Sequence, residues 1–296
     1  MAPHKHHLAG PLIYQVFRDT NSLQLHAPFD AKEQDLAGQR SECHQTGRRE
    51  EKLAKRVRQF LNILVGVSVG VAAALIRIGC QWLGDWRRGL LLQSIFRADL
   101  DTAFLATVLA GISLTAGFAV LATCAVVWRT ASSGSGIPGV LAFLNGVDLR
   151  GALSGSVLLA KAFGTIFAVG GGLAVGPEGP MVHIGANVGM VVVRRFVAPA
   201  LRRMGPLGRR LEIELLRQPL RYHVQAAAMG AGAGIAAAFN APVAGTVFVV
   251  EEAASFFSKR LILHSFITCA VASATADYVA WLIAGVGPES VYARTS

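Results

Sequence analysis

Three short motifs built on glycine and proline carry the residues able to act on an ion. The first is Gly134-Ser135-Gly136-Ile137-Pro138. Proline suits the first turn of a helix, where its missing N–H would have no intrahelical partner anyway. The glycines let backbone come close to a ligand. A helix amino terminus offers free N–H donors and a partial positive charge, which together make an anion site, and Ser135 adds a hydroxyl. The second motif is Gly176-Pro177-Glu178-Gly179-Pro180. A carboxylate at a helix amino terminus is favoured by the same dipole. Inside a membrane such a group is expensive and presumptively functional. Ionised, it could occupy an anion site; protonated, it could vacate it, coupling a proton to anion movement. The third motif is Ala236-Ala237-Ala238-Phe239-Asn240-Ala241-Pro242, followed by Glu251-Glu252. Successive helical residues point about 100° apart, so one of the two carboxylates is expected buried and the other solvated. Read from residues alone, each motif also fits an ordinary cap and turn.

The elements that must position these motifs are apolar. Of 296 residues, 53% are hydrophobic and only 16% charged, against about 25% charged in soluble domains. Mean hydropathy is +0.47. Phe60–Leu83 is long enough for the ~20 residues a bilayer requires; Arg77 sits near its far end, where snorkelling is cheap. Gly66 and Gly70 have the small-xxx-small spacing that brings helices together. A polar loop is expected from Asp85 to Asp101, then a second span from about Ala103 to Trp128. Residues 131–195 are apolar but punctured by glycine and proline: a short helix from Gly139 to about Asn145, an apolar run Leu153–Val175, and a helix after Pro180 to Val193. A basic loop is expected over 194–221. A small-residue helix Ala226–Phe239 follows, with Gly230 and Gly234 as another packing pair, then a helix to Glu252 and a last span Leu261–Ala284. Lys161, in an apolar run, reads as snorkelling to the cytoplasm. Helix breaks at membrane depth persist where the freed backbone lines a cavity, and paired broken helices point to a transport site.

Net charge is +10, but the basic residues lie mostly outside the apolar runs, which fits the positive-inside rule better than nucleic-acid binding. Residues 1–58 read as a partly disordered cytoplasmic tail holding His4, Lys5, His6 and His7; a solvated tail explains the histidines better than a metal site. Cys43, Cys80, Cys124 and Cys269 have no metal-ligand or CxxC spacing, and the last three read as buried thiols. Gly134–Gly139 spells GxGxxG without a surrounding βαβ unit, and no P-loop, HExxH or Ser/His/Asp arrangement stands out. An enzyme would have to use His183 or His223, and the expectation is that the chain is not one, with neither cofactor nor metal.

Taken together and in order, the three motifs resemble the CLC family of chloride channels and chloride/proton exchangers, especially its lysosomal and plant-vacuolar branch. Gly134–Gly146, Val169–Gly185 and Gly234–Phe257 also look like it, and the likeness covers roughly residues 58–285. It implies an all-α, polytopic membrane helical bundle with broken or re-entrant helices, corresponding to the first half of the family's inverted-repeat fold. On that reading 1–58 is the tail, 59–285 the membrane domain and 286–296 a short end. The resemblance implies that Ser135, with the backbone of Gly136 and Ile137, coordinates the central anion. Glu178 would be the gating glutamate, with Gly179 beside it, and Glu252 the internal proton-transfer glutamate. Carboxylates at both positions favour chloride/proton antiport; a voltage-gated chloride channel of the same family and a non-conducting membrane subunit are the alternatives. Ser135 in place of proline matches the chloride-preferring form. The implied partners are chloride, protons, membrane lipid and a second copy in a homodimer, with no nucleic acid. The implied place is a vacuolar, lysosomal or endosomal membrane. Pro177 departs from the family's usual Lys or Arg, removing a positive charge and an N–H beside Glu178. The second repeat, which brings another filter helix and a tyrosine hydroxyl, is not expected from the residues after Ala284.

Overall fold

The computed structural model describes residues 47–97, 100–147, 151–203, 219–253 and 259–284, and among them every regular element is a helix. Helix α1 runs Gly47–Arg97 and α2 Leu100–Trp128. Short α3, Ile137–Leu144, and α4, Gly155–Gly170, follow. Helix α5, Glu178–Val192, passes through a π turn at Val193–Val197 into α6, Ala198–Arg203. Then come α7, Pro219–Phe239, and α8, Pro242–Phe248, which runs into a second π turn, Val249–Ala253. Helix α9, Lys259–Ala284, closes the described chain.

Within these helices, Arg56–Gln93, Leu105–Trp128 and Ile262–Ile283 are long and apolar enough to cross a membrane. Helices α4 and α8 and the apolar part of α7 are shorter, and these carry or flank the breaks. The sequence alone therefore places the spans and the breaks correctly, with three differences at their edges. Helix begins at Gly47, inside the segment read as a tail. It also continues to Arg97 through the expected loop at Asp85, because Trp86–Arg97 contains good helix formers and no proline. The expected basic loop is helical over Arg194–Arg203 and again from Pro219; residues 204–218 lie outside the described residues, as does the histidine cluster near the amino terminus.

Lipid tails are as apolar as leucine, so helices associate through close packing rather than hydrophobic burial. Small residues supply that closeness. A Cβ added at Gly66 would stand 2.8 Å from the Thr268 carbonyl, and one at Gly70 would stand 2.8 Å from Thr275 Cβ, so α1 lies directly on α9. Gly185 of α5 meets the backbone of Gly230 on α7, and Gly234 meets that of Met181. Both glycine pairs thus act as expected. Around these seams Val65, Val69, Ile184, Ala233 and Ala276 are fully buried. Helix α2 sits at the periphery, with Leu105, Ile112 and Val120 exposed. It is held to α1 and α4 by an aromatic ladder, Trp86 edge-on to Phe118 at 6.2 Å and Phe118 stacked on Phe167 at 6.3 Å. Of the thiols, Cys269 is buried and Cys80 half-buried, while Cys124 is exposed on α2, against the expectation of burial.

Arg77 does not snorkel. Its guanidinium meets Asp277 of α9 at 3.3 Å and donates to the Ala237 carbonyl in the last turn of α7. A cation at a helix carboxyl end complements the dipole, and the pair ties three helices together just before the Asn240 break. Removing one partner strands the other charge in a low-dielectric setting. Asp277→Ala should therefore lower stability by about 2–3 kcal/mol, short of the full cost of a completely buried pair, because the two side chains keep 17% and 21% exposure. Thermal unfolding of the purified chain in detergent measures the difference, and Asp277→Asn should cost less.

Candidate anion site

The first motif folds as its residues dictate. Gly136 caps α3 with φ +79, a left-handed conformation that disfavours side chains, and its carbonyl accepts from Val140 N–H at 3.0 Å. Pro138 follows inside the first turn. The donors left at this amino terminus belong to Gly136, Ile137 and Gly139, since proline has none. Ile137 N–H donates to Ser135 Oγ at 3.4 Å, which ties the serine hydroxyl to this helix end.

The second motif ends the link that leaves α4. That helix finishes in a Schellman turn, with Leu173 N–H on the Ala168 carbonyl at 3.1 Å and Gly172 at φ +90. Pro177 caps α5, and its carbonyl accepts from Met181 N–H at 2.9 Å. With prolines at 177 and 180, Glu178 and Gly179 hold the free backbone donors of this turn. Glu178 is exposed, and its carboxylate folds back over Gly176, where a Cβ would collide with Oε2 and lie 3.0 Å from Oε1.

These two amino termini are brought into contact. A Cβ on Gly179 would stand 2.9 Å from Ser135 Cβ, so only glycine lets α5 approach the serine this closely. Ser135, Gly136 and Ile137 are thereby brought beside Gly179, distant in sequence, so that two positive helix ends meet, while the Glu178 carboxylate turns away over Gly176. Two such helix ends together offer backbone donors to a small anion.

Two residues complete the cluster in ways the sequence reading missed. Lys161 is buried at 2% exposure, and its ammonium donates to the carbonyls of Ser132 at 3.2 Å, Ser133 at 3.4 Å and Gly134 at 2.9 Å. The expected snorkelling is replaced by an internal hook, because the carbonyls freed before α3 satisfy all three ammonium donors. His183 of α5, also buried, places its ring against Gly136 with Nε2 3.0 Å from the Ala152 carbonyl. A carbonyl only accepts, so Nε2 carries the proton. An ionisable residue inside an apolar run close in sequence to a broken loop was the available signal for Lys161. Nothing in the local pattern of His183 marks its contact with Gly136.

The third motif lies elsewhere. Asn240 takes a left-handed φ of 50, Ala241 N–H bonds the Ala236 carbonyl at 3.0 Å, and Ser273 of α9 donates to Asn240 Oδ1. Pro242 then opens α8. Glu251 is exposed, in line with one solvated carboxylate. Glu252 sits on the π turn Val249–Ala253, with its side chain outside the described residues. Such turns recur at functional sites.

The fold defines a helical membrane protein whose broken helices bring two amino termini together. A family model described as voltage gated chloride channel matches residues 116–293, and the chain belongs to this CLC family. It is 37% identical over 213 residues to chloride channel protein CLC-c of Arabidopsis thaliana, covering 71% of this chain and 26% of that protein. It is 33% identical over 218 residues to H(+)/Cl(-) exchange transporter 7 of Bos taurus, covering 73% and 26%. The chain thus spans about a quarter of the length of these curated relatives. Among solved structures it resembles a eukaryotic CLC transporter, with a TM-score of 0.60 and 26% identity over 75% of this chain and 38% of that one. It also resembles a slow cyanobacterial Cl-/H+ antiporter, with a TM-score of 0.57 and 25% identity over 75% and 46%.

The hook makes a local prediction. Lys161→Met leaves the Ser132, Ser133 and Gly134 carbonyls without their donor. Amide exchange over Ser133–Val140 should quicken about tenfold or more, the equivalent of one lost charge-assisted hydrogen bond. Hydrogen-exchange mass spectrometry in detergent reads it, and Lys161→Arg should lie between the two.

Proposed function

We propose that the chain forms one part of a chloride path and works in proton-coupled chloride exchange. The contact of Gly179 with Ser135 supports this reading, because it brings two helix amino termini together with Glu178 next in sequence to the contact. Ser135 and the backbone of Gly136 and Ile137 would hold the anion. Glu178 would compete for the same site when ionised and release it when protonated, with Gly179 N–H assisting.

Exchange is favoured over passive conduction by the second carboxylate. Glu252 follows α8 and would relay protons to Glu178. The relative named H(+)/Cl(-) exchange transporter 7 supports the same choice. Pro177 supplies neither charge nor N–H to Glu178, so anion binding there relies on the helix end itself. The fitting context is a multi-pass protein of a vacuolar, lysosomal or endosomal membrane, with a cytoplasmic amino terminus and two copies paired.

Reconstitution into liposomes with chloride and pH readouts tests this. Chloride flux should be accompanied by opposed proton flux. Glu252→Ala should lower proton flux by about a hundredfold, the scale of losing a positioned proton carrier, while chloride flux survives. Glu178→Gln should abolish proton coupling as well. Chloride flux without protons in the unsubstituted chain would replace the exchanger by a channel. Absence of any flux would leave the non-conducting subunit.

A further inference from the structure

Helix α5 meets the first broken loop at two positions one turn apart, Gly179 and His183, which therefore lie on one face of the helix. At Gly179 the helix has no side chain and Ser135 comes in, its Cβ 2.9 Å from where a Cβ on the glycine would stand. At His183 the roles reverse. The loop has no side chain at Gly136, and the imidazole fills that space: a Cβ there would collide with Nδ1 and stand 2.6 Å from Cγ and 2.9 Å from the histidine Cβ. Gly136 is also the cap of α3, with its left-handed φ of +79. The ring thus rests on the residue that opens the helix.

The same ring reaches a third segment. Nε2–H donates to the Ala152 carbonyl at 3.0 Å, in the turn that starts α4 at its cap, Ser154. Helix α4 in turn carries Lys161, whose ammonium holds the carbonyls of Ser132, Ser133 and Gly134. From Gly136 through His183, Ala152, α4 and Lys161 the contacts return to Gly134, two residues from where they began. They form a closed circuit around the start of α3, and His183 is the member that touches both the loop and the turn before α4. It is buried, and its Nδ1 takes no hydrogen bond among the described residues. A buried acceptor without a partner is a cost. Leucine of similar bulk would avoid it, yet could not hold the Ala152 carbonyl.

Resting on the reading that Ser135 and the backbone of Gly136 and Ile137 hold chloride, we infer that His183 is a positioning residue for that site. It sets where the start of α3 stands relative to the start of α5. Gly179 and His183 belong to one helix, so the seat of the ring on Gly136 fixes the spacing between the two helix ends. A change in that spacing weakens the hold on an anion that needs donors from both, while the packing of the spans stays as it is.

Calorimetric titration of chloride into the purified full chain in detergent tests it. His183→Ala should lower chloride affinity about fivefold to tenfold, the scale of one buried hydrogen bond, with the number of sites unchanged. His183→Gln keeps a donor for Ala152 and should recover part of the loss. Gly136→Ala should also weaken binding, and the double variant Gly136→Ala, His183→Ala should bind about threefold or more better than the product of the two single losses, because the collision is gone. Val188→Ala opens a cavity elsewhere on α5, in the cluster with Leu61 and Val65. It should lower the unfolding temperature and leave chloride affinity unchanged. Unchanged affinity in His183→Ala, equal losses from His183→Ala and His183→Gln, independent losses in the double variant, or an equal loss from Val188→Ala would each overturn the inference. If the unsubstituted chain binds no chloride, the functional reading fails and amide exchange decides the positioning role. His183→Ala should then still quicken exchange over Ser135–Val140 more than His183→Gln does, and equal exchange in the two overturns it.

Discussion

A backbone that breaks at membrane depth must find partners for every polar group it releases. In this chain Lys161 supplies them for the first break. Its three donors take the carbonyls of Ser132, Ser133 and Gly134, on the side opposite the N–H groups of α3. The loop can then turn its donors and Ser135 toward a ligand, since its acceptors are already engaged. Without the hook, three carbonyls would lose their donor, and the turn that presents Gly136 and Ile137 would lose its support. The buried charge is tolerated for the same reason, because it is fully hydrogen-bonded.

The second constraint is distance. Two helix ends make one anion site only when they nearly touch, and the side chains that would hold them apart are absent. Gly179 lets α5 reach Ser135, while Gly185 and Gly230 let α7 come close behind it. Lipid gives helices little reason to associate, so these seams substitute for the burial that would organise a soluble core. Arg77, Asp277 and the end of α7 add a polar tie that holds the third break in place.

Pro177 illustrates how little the amino terminus of α5 depends on its side chains. It caps the helix through its carbonyl, and the turn keeps two backbone donors, on Glu178 and Gly179, despite two prolines. A basic residue there would add long-range attraction. The helix end retains the short-range part.

How much was legible beforehand differs from feature to feature. The sequence by itself determined the class, the order of spans and breaks, and which residues stand at the breaks. Hydrophobic runs, proline at helix starts and glycine at left-handed positions are local properties, written in neighbouring residues. The α1–α9 and α5–α7 seams were foreshadowed by glycine spacing, though not their partners. Only the tertiary structure decided what Arg77 and Lys161 do, because a charged side chain in an apolar run reads as snorkelling until the carbonyls or carboxylate it meets are known. Those partners lie 27 to 29 residues away for Lys161 and 160 to 200 residues away for Arg77. The same holds for His183 on Gly136 and for Gly179 on Ser135. Contact between segments distant along the chain is set by how helices pack, and no local pattern encodes it.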